Sequence, residues 1–192
     1  QGLFNVINKS VDKSAKCLNR NVQGISQSDT MSAVVSRLDK MFDEGLYWHG
    51  NEPCHQVAYL YDAAGAPWKT QQRIHHILNT EYNDTPGGLS GNDDAGQMSA
   101  WYVFSAIGFY PVCPSTPYYY IGTPSFDKVT FNLENGKKFE IQAHGVGDKA
   151  FYIQKTLLNG KPMSGYQLSH DDILKGGNLE FWMGERPANE SK

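Results

Sequence analysis

The spacing of apolar residues changes period at Pro111, and this switch limits the folds open to the chain. Before it, Met31, Val34, Val35, Leu38, Met41 and Phe42 stand at i, i+3, i+4, i+7, i+10 and i+11 behind an Asp-Thr cap. That pattern predicts an amphipathic helix from Asp29 to near Gly45. A second helix is expected over 52–64, opened by Pro53 and closed by Gly65, and a third from Pro67 with Trp68, Ile74, Ile77 and Leu78 on one side. A fourth, from Gln97 to about Phe109, is apolar nearly all round, so most of its faces are expected to be buried. After Pro111, residues 118–121, 129–133, 138–143, 151–155 and 179–183 read as strands. Asn135-Gly136 and Asn159-Gly160 supply the positive-φ residues of tight hairpins, and Ser169 caps one short helical turn ended by Gly176-Gly177.

Helices followed by strands predict an α+β fold, with an irregular lead-in over 1–28, helical hairpins over 29–111 and an antiparallel, sandwich-like β segment over 112–192. Four helices leave the fourth poorly covered, so the helical part is expected to belong to a larger helical barrel. The 192 residues carry a net charge of −3 with lysines and arginines scattered, which excludes the basic footprint of a nucleic-acid binder. No apolar run of 18 residues occurs, so no membrane span is expected. The three cysteines lack zinc-site spacing.

Polar chemistry concentrates in two loops. The first, residues 47–56, holds Trp48, His49, Asn51, Glu52, His55 and Gln56; the second, residues 82–94, ends in Asn92, Asp93 and Asp94. Each precedes a helix, and helices that alternate up and down bring both loops to one end. A carboxylate at a helix start is held ionised by free backbone N–H groups, ready to serve as a general base or to accept a cation. Plain N-capping is the competing account, although one cap needs one residue and three stand here. An aromatic plate beside amides, acids and imidazoles is the inventory of a sugar site, whereas a histidine more often serves a core than a ligand. The spacing of NDDAG excludes an EF-hand calcium loop.

The stretches HGNEPCHQVAYLYDAAGAPWKTQ, YNDTPGGLSGNDDAGQMSAWYVFSAIGFYPVCPSTPYYYIGTPSFDKVT, NGKKFEI and LNGKP occur in this order, and over about 37–187 the chain resembles glycoside hydrolase family 92, the calcium-dependent exo-α-mannosidases. The resemblance implies part of an (α/α)6 catalytic barrel beside β-sandwich structure, and inverting hydrolysis of terminal α-mannosides with a general acid, a general base and Ca2+. It makes Asp94 the general base, with Asp93 and Asn92 beside it orienting the water or the ion. It makes Asn51 and Glu52 of HGNEP sugar-contacting residues, beside the Trp48 and His49 that the loop's own inventory offers to a sugar. It places the calcium near His55-Gln56, through backbone carbonyls. A periplasmic or secreted location and a mannose-containing glycan as partner follow from the same resemblance.

The sequence departs from the family in one respect. The TEGN-x-WQY motif that carries the family's general acid is absent, and residues 1–33 resemble nothing in that part of the family. The expectation is a C-terminal portion that hydrolyses mannosides poorly or not at all by itself, with Glu44 and Glu52 the only nearby glutamates that could substitute. A non-catalytic carbohydrate-binding module is the alternative from a different class.

Overall fold

The computed structural model describes residues 27–113 and 115–188. Of the expected lead-in only residues 27 and 28 are described, and both belong to helix α1 (Gln27–Asp43). Polar side chains pin α1 in place. Asp39 accepts a hydrogen bond from the Tyr61 hydroxyl at 3.0 Å and two from the Lys69 ammonium at 2.9 Å, while Arg73 donates to Asp43 at 2.7 Å. Leu38 packs beneath them with Tyr61 and Ala66.

The single helix expected over 52–64 is instead broken into a 3-10 turn at Glu52–Cys54, a second at Val57–Tyr59 and one turn of α-helix, α2, at Leu60–Ala63. The cause is local. In a continuous α-helix the Pro53 carbonyl would accept the N–H of residue 57. Here it accepts the Gln56 side-chain amide at 2.8 Å, while Asn51 and Glu52 carbonyls take the N–H groups of Cys54 and His55 in 3-10 fashion. Helix α3 (Pro67–Thr80) follows as expected and buries Ile74, Ile77 and Leu78.

Helix α4 (Gln97–Ile107) stops two residues earlier than the sequence suggests, because Gly108 takes φ +116 and the chain turns at once into strand β1 (Phe109–Tyr110). It is also less enclosed than expected. Met98, Trp101, Ser105, Ala106 and Ile107 are buried, yet Val103 is 55% exposed and Tyr102 faces outward beside it. Trp101, with no exposed surface, is the hub of the helical core with Tyr59, Ile74 and Ile77. Complete burial of one such large apolar side chain is worth about 1.5–3 kcal/mol.

The β part contains β2 (Tyr118–Ile121), β3 (Lys128–Asn132), β4 (Lys138–His144), β5 (Tyr152–Leu158), β6 (Lys161–Pro162), β7 (Gln167–Ser169) and β8 (Gly177–Gly184). They form a three-stranded sheet in the order β1-β2-β7 and a five-stranded sheet in the order β3-β4-β8-β5-β6. All pairings are antiparallel but one: β4 and β8 run parallel, which corrects the antiparallel expectation. The long connection through β5, β6, β7 and helix α5 (His170–Leu174) supplies the crossover that a parallel pair requires. Strands β1, β6 and β7 span only two or three residues, too few to show alternation. Ile107 and Phe109 share one core with Ile121, Leu168, Phe139, Leu179 and Phe181, so both sheets pack onto the end of α4. Gln71 of α3 adds a polar link, accepting the Ile153 N–H at 3.1 Å.

Candidate active site

The two polar loops meet backbone to backbone. A methyl placed on Gly91 would lie 2.3 Å from the Gly50 carbonyl oxygen, and one on Gly50 would lie 2.8 Å from the Ser90 carbonyl and 2.6 Å from the Trp48 ring. Only glycine permits this approach. The Trp48 indole therefore lies against Gly50 at the junction and stays 57% exposed, an open apolar surface beside the polar groups.

A buried relay of aromatic hydroxyls and imidazoles holds the first loop on α4. His49 has no exposed surface; Tyr47 Oη lies 2.7 Å from its Nδ1 and Tyr82 Oη 2.6 Å from its Nε2. Tyr82 donates its only proton to the Met98 carbonyl at 3.1 Å. His49 must then donate from Nε2 to Tyr82 and accept at Nδ1 from Tyr47. Burial, and secondarily His55, lowers the His49 pKa to about 3, so the ring is neutral as the relay requires. Burial also raises the Tyr47 and Tyr82 hydroxyls above the usual phenol range.

His55 is buried as well. Its Nε2 donates to the His49 carbonyl at 3.0 Å, and its own carbonyl accepts the Trp101 indole N–H at 2.9 Å. Gln97, which donates to the Tyr110 hydroxyl at 2.8 Å, stands 3.5 Å from His55 Nδ1. Burial lowers the His55 pKa, opposed by the bond to the His49 carbonyl and by the carboxylates of Glu52 and Asp94. Two acids from different loops thus act on one imidazole. Both are exposed, as are Asn51 and Asn92, and none of these four side chains has a hydrogen-bond partner among the described residues.

Residues singled out from the sequence therefore separate. Trp48, Asn51, Glu52, Asn92 and Asp94 present free groups around the junction. His49 is turned into the core with both ring nitrogens engaged, which leaves no nitrogen for a sugar hydroxyl. Asp93 is turned toward α4, where Oδ1 accepts the Ser99 N–H at 2.9 Å and Oδ2 the Ser99 hydroxyl at 3.1 Å. The capping account holds for Asp93, although the cap position proper is Gly96. Tyr47, Tyr82 and Gln97, which lock the loops, are absent from the sequence-based candidates, because nothing in the spacing separates a hydrogen-bonding aromatic from a packing one.

A calcium shell needs six to eight oxygens. Among the described residues no group of three His, Cys, Asp or Glu side chains is placed to hold a metal. The carbonyls of His55 and Gln56 already accept from Trp101 and Tyr59, and the His55 ring is committed. The fit is partial: Gln56 Oε1 and the carboxylates of Glu52 and Asp94 are hard oxygens free to contribute, and His55 is a poor ligand. A cavity of about 530 Å3 nearby is lined by Tyr82, Asp84, Leu89, Ser99, Tyr102 and Val103, and not by Glu52 or Asp94.

Residues 20–185 match the model of the glycosyl hydrolase family 92 catalytic domain. The chain belongs to this family. The match begins at residue 20, before the expected start near Arg37. A protein of Arthroderma benhamiae named as an uncharacterized secreted glycosidase is 34% identical over 161 residues, covering 82% of this chain and 21% of that relative. A family GH92 α-mannosidase from Bacteroides thetaiotaomicron superposes with a TM-score of 0.80 at 44% identity, covering 84% of this chain and 23% of that one. A structure of that mannosidase with mannoimidazole covers 73% and 19%, at 49% identity and a TM-score of 0.71. An inverting mannosidase of the same family and species gives 0.77 at 39% identity, over 82% and 25%. This chain thus spans a quarter or less of the length of these relatives. No helix among its described residues is long and apolar enough to cross a membrane.

Proposed function

We propose that this chain carries the water-activating side of a calcium-dependent, inverting exo-α-mannosidase site that removes terminal mannose from glycans. The observation that supports this most is the apposition of two loops at Gly50 and Gly91, each contributing an acid, Glu52 and Asp94, whose carboxylate acts on the His55 imidazole and has no hydrogen-bond partner among the described residues. Asp94 is the general base: it takes a proton from a water that attacks the anomeric carbon, the bond to the aglycone oxygen breaks, and configuration inverts. Asn51, Glu52 and Asn92 hydrogen-bond sugar hydroxyls, and Trp48 offers its open face to the ring. Calcium would be held with the help of the free Gln56 Oε1 and would supply a hard cation that polarises sugar hydroxyls.

Inversion needs an acid roughly 6.5–9.5 Å from the base to protonate the departing oxygen. These 192 residues contain no TEGN-x-WQY segment, which supports an acid supplied from outside them and poor turnover of ordinary mannosides by the chain alone. In this reading the helical half is part of an (α/α)6 barrel and the protein works outside the cytoplasm. Titration calorimetry with methyl α-mannoside tests it, in calcium and then in EDTA, for the wild type, Asp94→Asn and Glu52→Ala. Calcium-dependent heat lost in Glu52→Ala supports the reading. Heat unaffected by EDTA and by both substitutions points to a non-catalytic sugar-binding module using Trp48, and no heat under any condition refutes both.

A further inference from the structure

Asp93 and Asp94 are adjacent and chemically identical, yet the backbone gives them opposite fates. Asp94, Ala95 and Gly96 take φ values of +48, +60 and +92 in succession. For a residue with a Cβ, the left-handed region costs roughly 1–2 kcal/mol, and two such residues stand side by side here. Strain of this kind persists only where surrounding contacts over-determine it. Four hydrogen bonds do so: Ser99 N–H and Ser99 Oγ–H to the two Asp93 carboxylate oxygens, Met98 N–H to the Asp93 carbonyl at 3.2 Å, and Gln97 N–H to the Asp94 carbonyl at 3.3 Å. Beyond this clamped turn the Asp94 carboxylate is left without a hydrogen-bond partner among the described residues, and its charge acts on His55, as does that of Glu52.

We infer that Asp93 and Ser99 are positioning residues, a clamp that holds the left-handed turn and so aims Asp94, and that Asp93 itself does not touch the attacking water. The inference rests on Asp94 being the base. Each Asp93 oxygen already accepts a hydrogen bond from Ser99, so that carboxylate is held against the first turn of α4, whereas the Asp94 carboxylate has no partner among the described residues. Ala95 belongs to the same device. Glycine there would relieve the strain and stabilise the fold, but it would also let the turn wander.

Hydrolysis of α-mannosyl fluoride tests this, because fluoride leaves without a proton from an acid and the base side is read alone. Ser99→Ala is expected to lower kcat about tenfold and Asp93→Ala about a hundredfold, the scale of an ångström's misplacement, with KM changed less than twofold. The double variant should be no slower than Asp93→Ala, because one residue acts through the other. Ser99→Thr should retain most of the rate. Ala95→Gly should raise the unfolding midpoint while lowering kcat, a combination that loss of folding cannot produce. Azide, a small anion able to attack C1 directly, should restore turnover to Asp94→Ala and not to Asp93→Ala. Full kcat in Ser99→Ala, or azide rescue of Asp93→Ala, overturns the clamp while leaving Asp94 as base. A fully active Asp94→Ala, or a wild type no faster than spontaneous hydrolysis, overturns the base assignment and the clamp with it.

Discussion

Replacing Gly91 with alanine should separate the two loops without unfolding the protein. The new Cβ would sit 2.3 Å from the Gly50 carbonyl oxygen, 2.6 Å from its Cα and 2.8 Å from its carbonyl carbon. Carbon atoms in good contact lie about 3.5 Å apart or more, so the loops must part by about 1 Å. The obstructing atoms are backbone and cannot rotate aside. Overpacking of this size costs about 1–3 kcal/mol, and a 1 Å shift between groups that must act together costs about a hundredfold in rate. Gly87→Ala is the control, because a Cβ there meets nothing within 4 Å. Urea unfolding and α-mannosyl fluoride hydrolysis read the two effects. A Gly91→Ala protein with wild-type rate and stability, or a Gly87→Ala protein equally damaged, would refute the claim that the site is built on this contact.

Two titrating groups should shape stability against pH. His49 has its pKa lowered on folding from 6.5 to about 3, so its contribution is intact above 6.5 and is lost as pH falls toward 3, by at most about 1.4 kcal/mol per pH unit; His49→Phe should flatten that slope in acid-unfolding curves and leave the Tyr47 hydroxyl unpaired at a cost of about 1–3 kcal/mol. Asp62 works in the opposite sense. Burial of its carboxylate raises its pKa well above 3.8, opposed only by Thr70 beside it, so the folded state holds a proton that the unfolded state releases and stability falls as pH rises above about 4. Asp62→Asn, the neutral isostere, should stabilise the protein by about 1 kcal/mol or more at pH 7 and little at pH 4; equal stability of both forms at both pH values would contradict this.

Periodic segments were legible in the sequence because a buried stripe repeats: α1, α3 and α4 and the five longer strands lie within a few residues of their expected positions. The break between Glu52 and Tyr59 was not legible, since it turns on one side chain, Gln56, claiming the Pro53 carbonyl. The parallel β4–β8 pair was hidden because neighbours 38 residues apart leave no mark on local alternation. At the site, the two glycine-flanked loops could be placed together from helix alternation. The fates of individual polar residues could not: His49 is a core residue because two tyrosines, one of them 33 positions away, meet its nitrogens, and Asp93 differs from Asp94 only through the sign and sequence of φ around them. Composition carries neither fact.

The central claim is that Asp94 activates water against the anomeric carbon of an α-mannoside, and the anomer released first from α-mannosyl fluoride tests it most directly. Proton NMR during turnover in calcium should find β-mannose appearing before mutarotation supplies the α form, with Asp94→Asn silent and methyl α-mannoside hardly hydrolysed. α-Mannose as the first product, or an Asp94→Asn protein as fast as the wild type, would contradict the account.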